Sequence, residues 1–317
     1  MTRPACLVTG SATERMLGRL AESFDVIRAD GVSDDVLDAH GDRIEYLLSM
    51  YHGGVKAAMM DRMPKLKAIS NYGVGYDAVD TPAAVERGIV VTHTPDVLND
   101  EVANTTILLM LAVARNFVAD NDYLRAGRWE KEGNAPLSRS VRGMTVGILG
   151  LGRIGMTIAE KLGVFGVDIV YHTRSEKDAP YRYYGDLTEM ARDADILIVI
   201  TPGGASTRHL VNRQVIDALG PRGILINVAR GSVVDEAELI RALQQGRLGH
   251  AGLDVFENEP HVPPELIALP NATLLPHVGS ATVETRQAMG DLAVENLTAH
   301  AATGKAVTPV PECRHMQ

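Results

Sequence analysis

Short apolar runs rich in Val, Ile and Leu alternate with longer amphipathic stretches along nearly the whole chain. This alternation predicts parallel β-strands joined by crossover helices. In the first third of the chain we expect strands at residues 6–10, 24–28, 44–49, 66–70 and 89–93. A helix is predicted before the last of these strands, with the hydroxyl of Thr81 as its cap, Pro82 at its first position and Gly88 at its end.

A second series of the same kind follows a long helical stretch. Residues 99–125 are predicted to form one helix, with Asn99 and Asp100 as cap candidates and Gly127 beyond its end. Strands are expected at residues 145–150, 167–172, 195–200, 223–229, 250–255 and 272–277, a last helix at 282–302, and an irregular connection at 126–142. The fold class is therefore α/β, with two parallel-sheet arrays.

Composition narrows the class of protein. The chain has 317 residues, 45% of them hydrophobic, which favours two domains over one core. The longest apolar run, residues 107–114, is too short to cross a bilayer, and the N-terminus lacks a leader pattern, so we expect a cytoplasmic protein without a membrane anchor. The net charge of -9 disfavours nucleic acid and anionic lipid as partners. Two distant cysteines, Cys6 and Cys313, form no metal or redox pair, and Cys6 is expected to be a buried thiol.

A glycine-rich turn joins the strand at residues 145–150 to the helical run after it. Its sequence is Gly150-Leu-Gly152-Arg153-Ile154-Gly155. The first glycine permits a tight turn, the second lets the backbone approach a diphosphate, and the third allows close packing of helix on strand. The strand before it and the helix after it favour a dinucleotide site over an ordinary loop with glycines.

The next strand ends without the acidic residue that an NAD-binding domain places there. It ends instead in His172-Thr173-Arg174-Ser175. Arg174 can form charge-assisted hydrogen bonds with a ribose 2′-phosphate and Ser175 can add a donor, so we predict NADPH as the preferred cofactor over NADH. The alternative is that Arg174 is an ordinary solvated residue and that Glu176 or Asp178 contacts the ribose.

Three polar residues stand at or just beyond the expected carboxyl ends of later strands: Arg230, Glu259 and His277. This is where open parallel sheets bind ligands. Each has an ordinary alternative, respectively a strand-end arginine, a solvated acid and a histidine bonded to a carbonyl group. A metal site made of Glu257, Glu259 and His261 is conceivable, but Pro260 disrupts any regular presentation of these ligands, and we expect no metal.

Several segments together resemble the D-isomer-specific 2-hydroxyacid dehydrogenases, and among them the glyoxylate/hydroxypyruvate reductases. They are N-Y-G-V-G-Y-D from Asn71, G-L-G-R-I-G from Gly150, N-V-A-R-G from Asn227, L-D-V-F-E-N-E-P from Leu253 and L-P-H-V-G-S-A-T from Leu275. They occur in the family's order and cover most of the chain.

The resemblance implies that small 2-keto acids are reduced to 2-hydroxy acids by hydride transfer. Arg230 would bind the substrate's carboxylate and carbonyl oxygen, and His277 would be the general acid. Glu259 would accept a hydrogen bond from the other imidazole nitrogen and favour the charged ring. Which keto acid is preferred stays open among glyoxylate, hydroxypyruvate, 2-ketogluconate and bulkier aromatic keto acids.

The resemblance also implies further ligand contacts. The turn at Val74-Gly75 would donate backbone N–H groups to the substrate carboxylate, although a plain glycine turn is the alternative. Tyr51, His52 and Trp129 are candidates for substrate selection. The expected cofactor contacts, besides the glycine turn and Arg230 and His277, are Thr105, His172, Thr173, Arg174, Ser175, Thr201, Pro202, Val228, Ala229, Asp254, Gly279 and Ser280.

For the domains, the resemblance implies a discontinuous arrangement with a cleft. Residues 1–96 and 284–317 would form the substrate domain, and residues 97–283 the dinucleotide-binding Rossmann domain. It also implies a homodimer in which the region around Trp129 reaches the neighbouring subunit. Other reactions stay open, namely oxidation of D-lactate, formate or phosphoglycerate, as does a nucleotide-sensing protein that shares this fold.

Overall fold

Residues 3–50 and 53–316 are described in a computed structural model of the protein. Within these ranges the chain forms two compact units. One contains the described residues up to Leu98 together with those from Thr282 onward, and the other runs from Asn99 to Ala281. The assignment of the first unit to the substrate and of the second unit to the dinucleotide stays a prediction.

The first unit contains a parallel sheet of five strands among the described residues. The order is β2-β1-β3-β4-β5, and all the pairings are parallel. The strands are β1 (Ala5–Thr9), β2 (Asp25–Ala29), β3 (Ile44–Ser49), β4 (Ala68–Asn71) and β5 (Val90–Thr92). All five strands expected here are confirmed, and their ends differ from the expected ones by at most two residues. Cys6 on β1 is buried, and burial raises the pKa of its thiol to about 12.

The helices between these strands are α1 (Glu14–Ser23), α2 (Asp34–His40), α3 (Ala57–Asp61) and α4 (Thr81–Glu86). The cap predicted for α4 was wrong by one residue. Asp80 is the N-cap, and its carboxylate accepts a hydrogen bond from the backbone N–H of Ala83 at 3.2 Å. Thr81 is the first residue of the helix and is buried, so Asp80 and not Thr81 occupies the cap position.

The second unit contains a seven-stranded parallel sheet within the part of the chain that is described. Its order is β12-β11-β10-β9-β6-β7-β8. The strands are β6 (Thr145–Leu149), β7 (Asp168–His172), β8 (Arg182–Tyr183), β9 (Ile196–Val199), β10 (Ile224–Asn227), β11 (His250–Leu253) and β12 (Ala272–Leu274). Six were expected from the sequence. The two-residue β8 was missed because it is too short to show an apolar run.

The long helix expected at residues 99–125 is two helices. The helices of this unit are α5 (Asn99–Ala114), α6 (Phe117–Arg125), α7 (Arg128–Glu132), α8 (Arg153–Leu162), α9 (Leu187–Asp193), α10 (Arg213–Leu219), α11 (Glu236–Gln244) and α12 (Pro264–Ile267). Asn116 adopts a left-handed conformation with φ 51°, which breaks the helix between α5 and α6. Helix α7 lies inside the segment that was expected to be irregular.

No single helix among the described residues is long and apolar enough to span a membrane. Helices α5 and α6 meet the length and composition requirements only as a pair, and they are bent by 62°. Eight residues of α5 are buried, including Leu109, Met110 and Val113.

Helices cover both faces of the second sheet. Leu197 and Leu225 belong to a core shared with α9, α10 and α11. Gly252 lies on the opposite face, where a side-chain carbon would meet Ile226 of β10 and Val113 of α5. The last helix, α13 (Val283–Thr303), packs instead against β3, β4 and α1 of the first unit. The predicted pair of parallel-sheet α/β domains is confirmed.

Candidate active site

The carboxyl ends of the central strands of the second sheet are joined by a continuing ladder of backbone hydrogen bonds. The N–H of Val228 donates to Val199 at 3.2 Å, and the N–H of Asp254 donates to Asn227 at 2.9 Å. The N–H of His277 donates to the carbonyl of Asp254 at 2.8 Å. These bonds bring the segments that follow β9, β10, β11 and β12 to one edge of the sheet.

The glycine-rich turn lies at the same edge, between β6 and α8. A side-chain carbon at Gly155 would lie 2.1 Å from the carbonyl oxygen of Gly150, and one at Gly150 would lie 2.8 Å from the backbone N of Thr201. Gly152, in contrast, is exposed and faces open space. It is the N-cap of α8 and has no side chain that could cap the first turn of the helix.

The segment after β7 carries the residues predicted to select the cofactor. His172 is bonded through Nδ1 to the carbonyl oxygen of Tyr184 at 2.8 Å, and the hydroxyl of Thr173 donates to the carbonyl of Ser175 at 2.6 Å. Arg174 and Ser175 are exposed. The segment after β7 is tied back to that strand at Lys177, whose backbone N–H donates to the hydroxyl of Tyr171 at 2.8 Å.

His277 and Glu259 form a hydrogen-bonded pair. The imidazole Nδ1 lies 2.7 Å from Oε2 of Glu259, and the side chains are 37% and 21% exposed. A carboxylate only accepts hydrogen bonds, so Nδ1 of His277 carries the hydrogen of this bond. The other oxygen, Oε1, accepts from the backbone N–H of Phe256 at 3.1 Å, which orients the carboxylate.

Asp254 holds the loop that carries His277. Its two oxygens accept from the N–H groups of Val278 and Gly279 at 2.7 and 2.8 Å. Burial raises the pKa of Asp254, while the two backbone hydrogen bonds act in the opposite direction. His277 itself adopts a left-handed backbone with φ 53°, a costly conformation for a residue with a side chain. This anchoring sets the direction of its ring.

Arg230 follows β10 and lies beside the loop of Glu259. The side chain is half-buried, and its Nη1 donates to the carbonyl of Ala229 at 2.8 Å. The next residue, Gly231, packs directly on the Phe256–Glu257 peptide, where a side-chain carbon would lie 1.9 Å from the carbonyl carbon of Phe256. The backbone of Arg230 and the backbone that orients Glu259 are therefore in close contact.

The carboxylate of Glu257, one of the metal-ligand candidates, interacts with two basic side chains. Its Oε1 accepts from Arg208 at 2.6 Å and lies 3.0 Å from Nε2 of His209. Its backbone N–H donates to the largely buried carboxyl of Glu236 at 3.1 Å, and burial raises the pKa of Glu236. Within the described ranges, no three His, Cys, Asp or Glu side chains are grouped so that they could hold a metal ion.

The other predicted cofactor residues are distributed around this edge. The hydroxyl of Thr105 on α5 donates to the carbonyl of Gly279 at 3.1 Å, so these two predicted contacts adjoin. Val228 and Ala229 are buried, Thr201 and Ser280 are half-buried, and Pro202, Arg153 and Gly152 are exposed. Ile154 is half-buried in the first turn of α8.

The remaining residues predicted to contact the substrate come from other segments of the chain. Val74 and Gly75 are half-buried in the loop after β4 of the first unit. Trp129 is 59% exposed on α7. Tyr51 and His52 lie outside the described residues.

The sequence did not single out Gly231 or Glu236 as residues that matter to the site. Gly231 ends the N-V-A-R-G segment, but nothing in that segment indicates its contact with the Phe256–Glu257 peptide. Glu236 resembles an ordinary acid in the first turn of a helix. Neither contact leaves a signal in spacing or composition.

The fold and the glycine turn define a dinucleotide-binding α/β protein, and the comparison with known families makes the class specific. Residues 107–279 match the family described as D-isomer specific 2-hydroxyacid dehydrogenase, NAD binding domain. The chain belongs to the D-isomer-specific 2-hydroxyacid dehydrogenase family and is an NAD(P)-dependent oxidoreductase. The predicted family and enzyme class are confirmed.

Individual relatives cover most of the chain. It is 48% identical over 277 residues to a hydroxyphenylpyruvate reductase of Plectranthus scutellarioides, covering 87% of this chain and 88% of that protein. It is 48% identical over 276 residues to the glyoxylate/hydroxypyruvate reductase A HPR2 of Arabidopsis thaliana, covering 87% and 88%. An NADPH-dependent glyoxylate/hydroxypyruvate reductase of Sinorhizobium meliloti, solved with NADP and malonate, has a TM-score of 0.94 at 50% identity and covers 98% of each chain.

Proposed function

We propose that this protein uses NADPH to reduce small 2-keto acids, glyoxylate and hydroxypyruvate among them, to 2-hydroxy acids. The observation that carries the proposal is the 2.7 Å hydrogen bond between His277 Nδ1 and Glu259 Oε2 at the carboxyl edge of the second sheet. The reductases of Arabidopsis thaliana and Sinorhizobium meliloti named above support the choice of substrates.

His277 acts as the general acid in this proposal. Reduction of a ketone builds negative charge on the carbonyl oxygen, and His277 neutralises it by donating the proton on Nε2. Glu259 stabilises the protonated ring and keeps Nδ1 as its donor. In the reverse direction His277 accepts the proton of the hydroxyl group. A positioned general acid contributes roughly 10²–10⁴-fold in rate.

Arg230 binds the substrate. Its planar guanidinium offers parallel donors that match a carboxylate and the adjacent carbonyl oxygen, which holds the carbonyl carbon in one orientation. For this contact the side chain has to extend beyond Ala229, whose carbonyl now accepts from Nη1 at 2.8 Å. The Val74–Gly75 turn is proposed to bind a substrate carboxylate through backbone N–H groups.

The glycine turn fits a dinucleotide, because Gly152 leaves the uncapped N-terminus of α8 open to a diphosphate. Gly150, Gly152, Arg153, Ile154 and Gly155 would hold that group. Further contacts would come from Thr105, His172, Thr173, Thr201, Pro202, Val228, Ala229, Arg230, Asp254, His277, Gly279 and Ser280. When bound, the reduced nicotinamide supplies the hydride.

The reaction can be tested with the purified protein. NADPH is mixed with glyoxylate, hydroxypyruvate, 2-ketogluconate and hydroxyphenylpyruvate in turn, and the loss of the reduced cofactor is followed by absorbance. We expect turnover with at least one of the small keto acids. Tight binding of NADPH without turnover on the whole panel would contradict the proposal and favour a nucleotide-sensing protein.

Replacing the proposed proton donor separates catalysis from binding. His277→Gln is expected to lower kcat by at least 10²-fold and to leave the Kd of NADPH nearly unchanged, because the ring acts on the substrate oxygen. His261→Gln is the matched control, since His261 is an exposed histidine on the same loop as Glu259. A His277→Gln enzyme as active as the control would exclude the assignment.

The preference for NADPH is proposed to come from Arg174 and Ser175. Both are exposed beside the carboxyl end of β7, where a 2′-phosphate has room to approach. Arg174→Ala should lower kcat/KM for NADPH roughly 10–100-fold, the equivalent of a hydrogen bond to a charged group, and leave the value for NADH nearly unchanged. Lys177→Ala removes a cation from the same loop and is the control. Equal loss with both cofactors would contradict this role.

We also propose that the protein is a homodimer. Helices α6 and α7 contain no buried residue, and they expose Phe117, Val118, Leu124 and Trp129. Several large apolar side chains exposed on two consecutive helices are costly to leave in water and are typical of a protein interface. The region around Trp129 would then contact the neighbouring subunit.

A further inference from the structure

In the turn that follows β4, the carbonyl groups of three successive residues are hydrogen-bonded to side chains of the protein. Asn71, the last residue of β4, is 8% exposed. Its side-chain Nδ2 donates to the carbonyl oxygens of Gly73 at 3.3 Å and Gly75 at 3.0 Å. Since both neighbours are carbonyl oxygens, the group that faces them is the amide nitrogen and not the amide oxygen.

His93 bonds the carbonyl group between these two. Its Nδ1 lies 3.0 Å from the carbonyl oxygen of Val74, which can only accept, so this nitrogen carries a hydrogen. The backbone of His93 is anchored on both sides by Thr308: the N–H of His93 donates to the carbonyl of Thr308 at 3.2 Å, and its own carbonyl accepts from the Thr308 hydroxyl at 2.6 Å. The ring also packs edge-on against Tyr76, with the ring centroids 5.4 Å apart.

These bonds determine where the N–H groups of the turn point. In a trans peptide the C=O and N–H bonds point in opposite directions. The carbonyls of Gly73 and Gly75 face Asn71, and that of Gly73 also accepts from the backbone N–H of Thr94 at 2.9 Å. The N–H groups of Val74 and Tyr76 therefore point away from Asn71. The carbonyl of Val74 faces His93, so the N–H of Gly75 points away from that ring. In the described part of the chain, none of these three N–H groups donates to an acceptor.

We infer that Asn71 and His93 are positioning residues that aim the N–H groups of Val74 and Gly75 at the carboxylate of the keto acid. Neither side chain touches the substrate; each acts by holding a peptide of the turn in one orientation. Successive N–H groups aimed in this way form an anion-binding concavity without any positive side chain. The inference rests on the proposed function, because the carboxylate belongs to the proposed substrate.

The alternative is that the two side chains only stabilise the fold, and carboxylate affinity distinguishes the two roles. Asn71→Ala and His93→Leu each remove a donor to the turn. We expect each to raise the KM for glyoxylate at least tenfold, with kcat within about threefold of the wild type, because the carboxylate is bound equally in ground and transition states. The Kd of NADPH should stay within twofold.

Malonate supplies a readout that does not depend on turnover. Its Kd for the NADPH-loaded protein, followed by the fluorescence of the reduced cofactor, should rise at least tenfold in both variants. His93→Asn is the conservative rescue, because the asparagine Nδ2 occupies nearly the position of the histidine Nδ1. It should bring both the malonate Kd and the glyoxylate KM back to within threefold of the wild type.

Asn271→Ala is the matched control. The Nδ2 of Asn271 likewise donates to two backbone carbonyls, those of Leu243 at 3.3 Å and Gly249 at 3.0 Å, but in a loop of the other unit. It should lower the Tm and leave malonate binding unchanged. If Asn71→Ala does not fold, the comparison of His93→Leu with His93→Asn decides the question.

The outcomes separate this inference from the proposed function. A wild type that reduces keto acids, with variants whose malonate Kd and glyoxylate KM stay within twofold, overturns the inference alone. A wild type that reduces no keto acid overturns the proposed function, and if it also fails to bind malonate the inference is overturned with it. The inference is also overturned if Asn271→Ala loses as much malonate affinity as Asn71→Ala.

Discussion

At the scale of single residues, the site depends on backbone contacts more than on the side chains that motifs reveal. Arg230, Glu259 and His277 could be chosen from the sequence because each stands at or just beyond the end of a predicted strand, and the carboxyl ends of parallel strands meet at one edge. The 2.7 Å pairing of His277 with Glu259 could not be derived from spacing. It requires the left-handed backbone at His277 and the bonds of Asp254 to the two following N–H groups.

Gly231 offers a sharp test of these backbone contacts. In Gly231→Ala the new carbon would lie 1.9 Å from the carbonyl carbon of Phe256 and 2.2 Å from the backbone N of Glu257, so the two segments have to separate. Because the N–H of Phe256 orients Glu259, we expect kcat/KM to fall at least tenfold and the Tm to fall by several degrees. Steady-state kinetics and thermal unfolding measure the two effects.

Gly163→Ala is the control for that substitution. Gly163 has φ -54° and no atom within 4 Å of a side-chain carbon, so alanine should be neutral or slightly stabilising there. If Gly231→Ala behaves like Gly163→Ala, the close packing between the segments of Arg230 and Glu259 has no functional role.

At the scale of elements, the sequence predicted the strands better than the ends and breaks of helices. Burial on both faces makes the strands of parallel sheets continuous apolar runs, which composition reveals. Two adjacent cap candidates, Asp80 and Thr81, cannot be distinguished by residue type, because only the local backbone decides which one is outside the helix. The break at Asn116 was missed because helical residues continue on both sides of it.

The contact of α1 with α13 gives the stability of the first unit a pH dependence. Asp291 on α13 accepts from Arg15 at 2.9 Å and Arg19 at 2.6 Å, and the hydrogen bond from Arg15 is the main reason that the pKa of Asp291 is lowered. A lowered pKa means that the ion pair stabilises the fold above the ordinary aspartate value of 3.8 and that this contribution is lost as the pH falls through the folded value.

Asp291→Asn should therefore lower the Tm at pH 7 by about 1–3 °C, since the pair is partly exposed. The difference from the wild type should shrink as the pH falls below the ordinary aspartate value of 3.8 and through the lowered pKa of folded Asp291. Glu295→Gln, an exposed acid on the same helix, is the control and should have little effect at either pH. Thermal unfolding from pH 7 to pH 3 measures the difference, and a Tm difference that is constant over this range would contradict the ion-pair account.

At the scale of the whole molecule, the apolar pattern predicted two parallel-sheet arrays, but only the family resemblance implied that the last helix belongs with the first array. The apolar pattern locates α13 at the end of the second array in sequence. The structure places it in the first unit, against β3 and β4, where the hydroxyl of Ser70 donates to the carbonyl of Ala293 at 2.9 Å. Periodicity is local and carries no information about which distant sheet a helix covers.

The proposed homodimer makes a prediction at this scale. In solution the 34.1 kDa chain should have the mass of two copies. Leu124→Glu, which places a charge among the exposed apolar side chains of α6 and α7, should shift the protein toward the monomer. Val164→Glu alters a residue that is 86% exposed after α8 and should not change the mass. Analytical ultracentrifugation distinguishes these outcomes, and a wild-type monomer would exclude the proposal.

The sequence by itself determined the fold class, the glycine turn for a dinucleotide and the strand ends where polar residues gather. Those features depend on local periodicity and on short segments whose conformation their own residues dictate. Only the tertiary structure decided that Nδ1 of His277 faces Glu259, that Gly231 packs on the Phe256–Glu257 peptide and that Asn71 orients the turn after β4. Each of these is a contact set by backbone direction, which residue type alone does not specify.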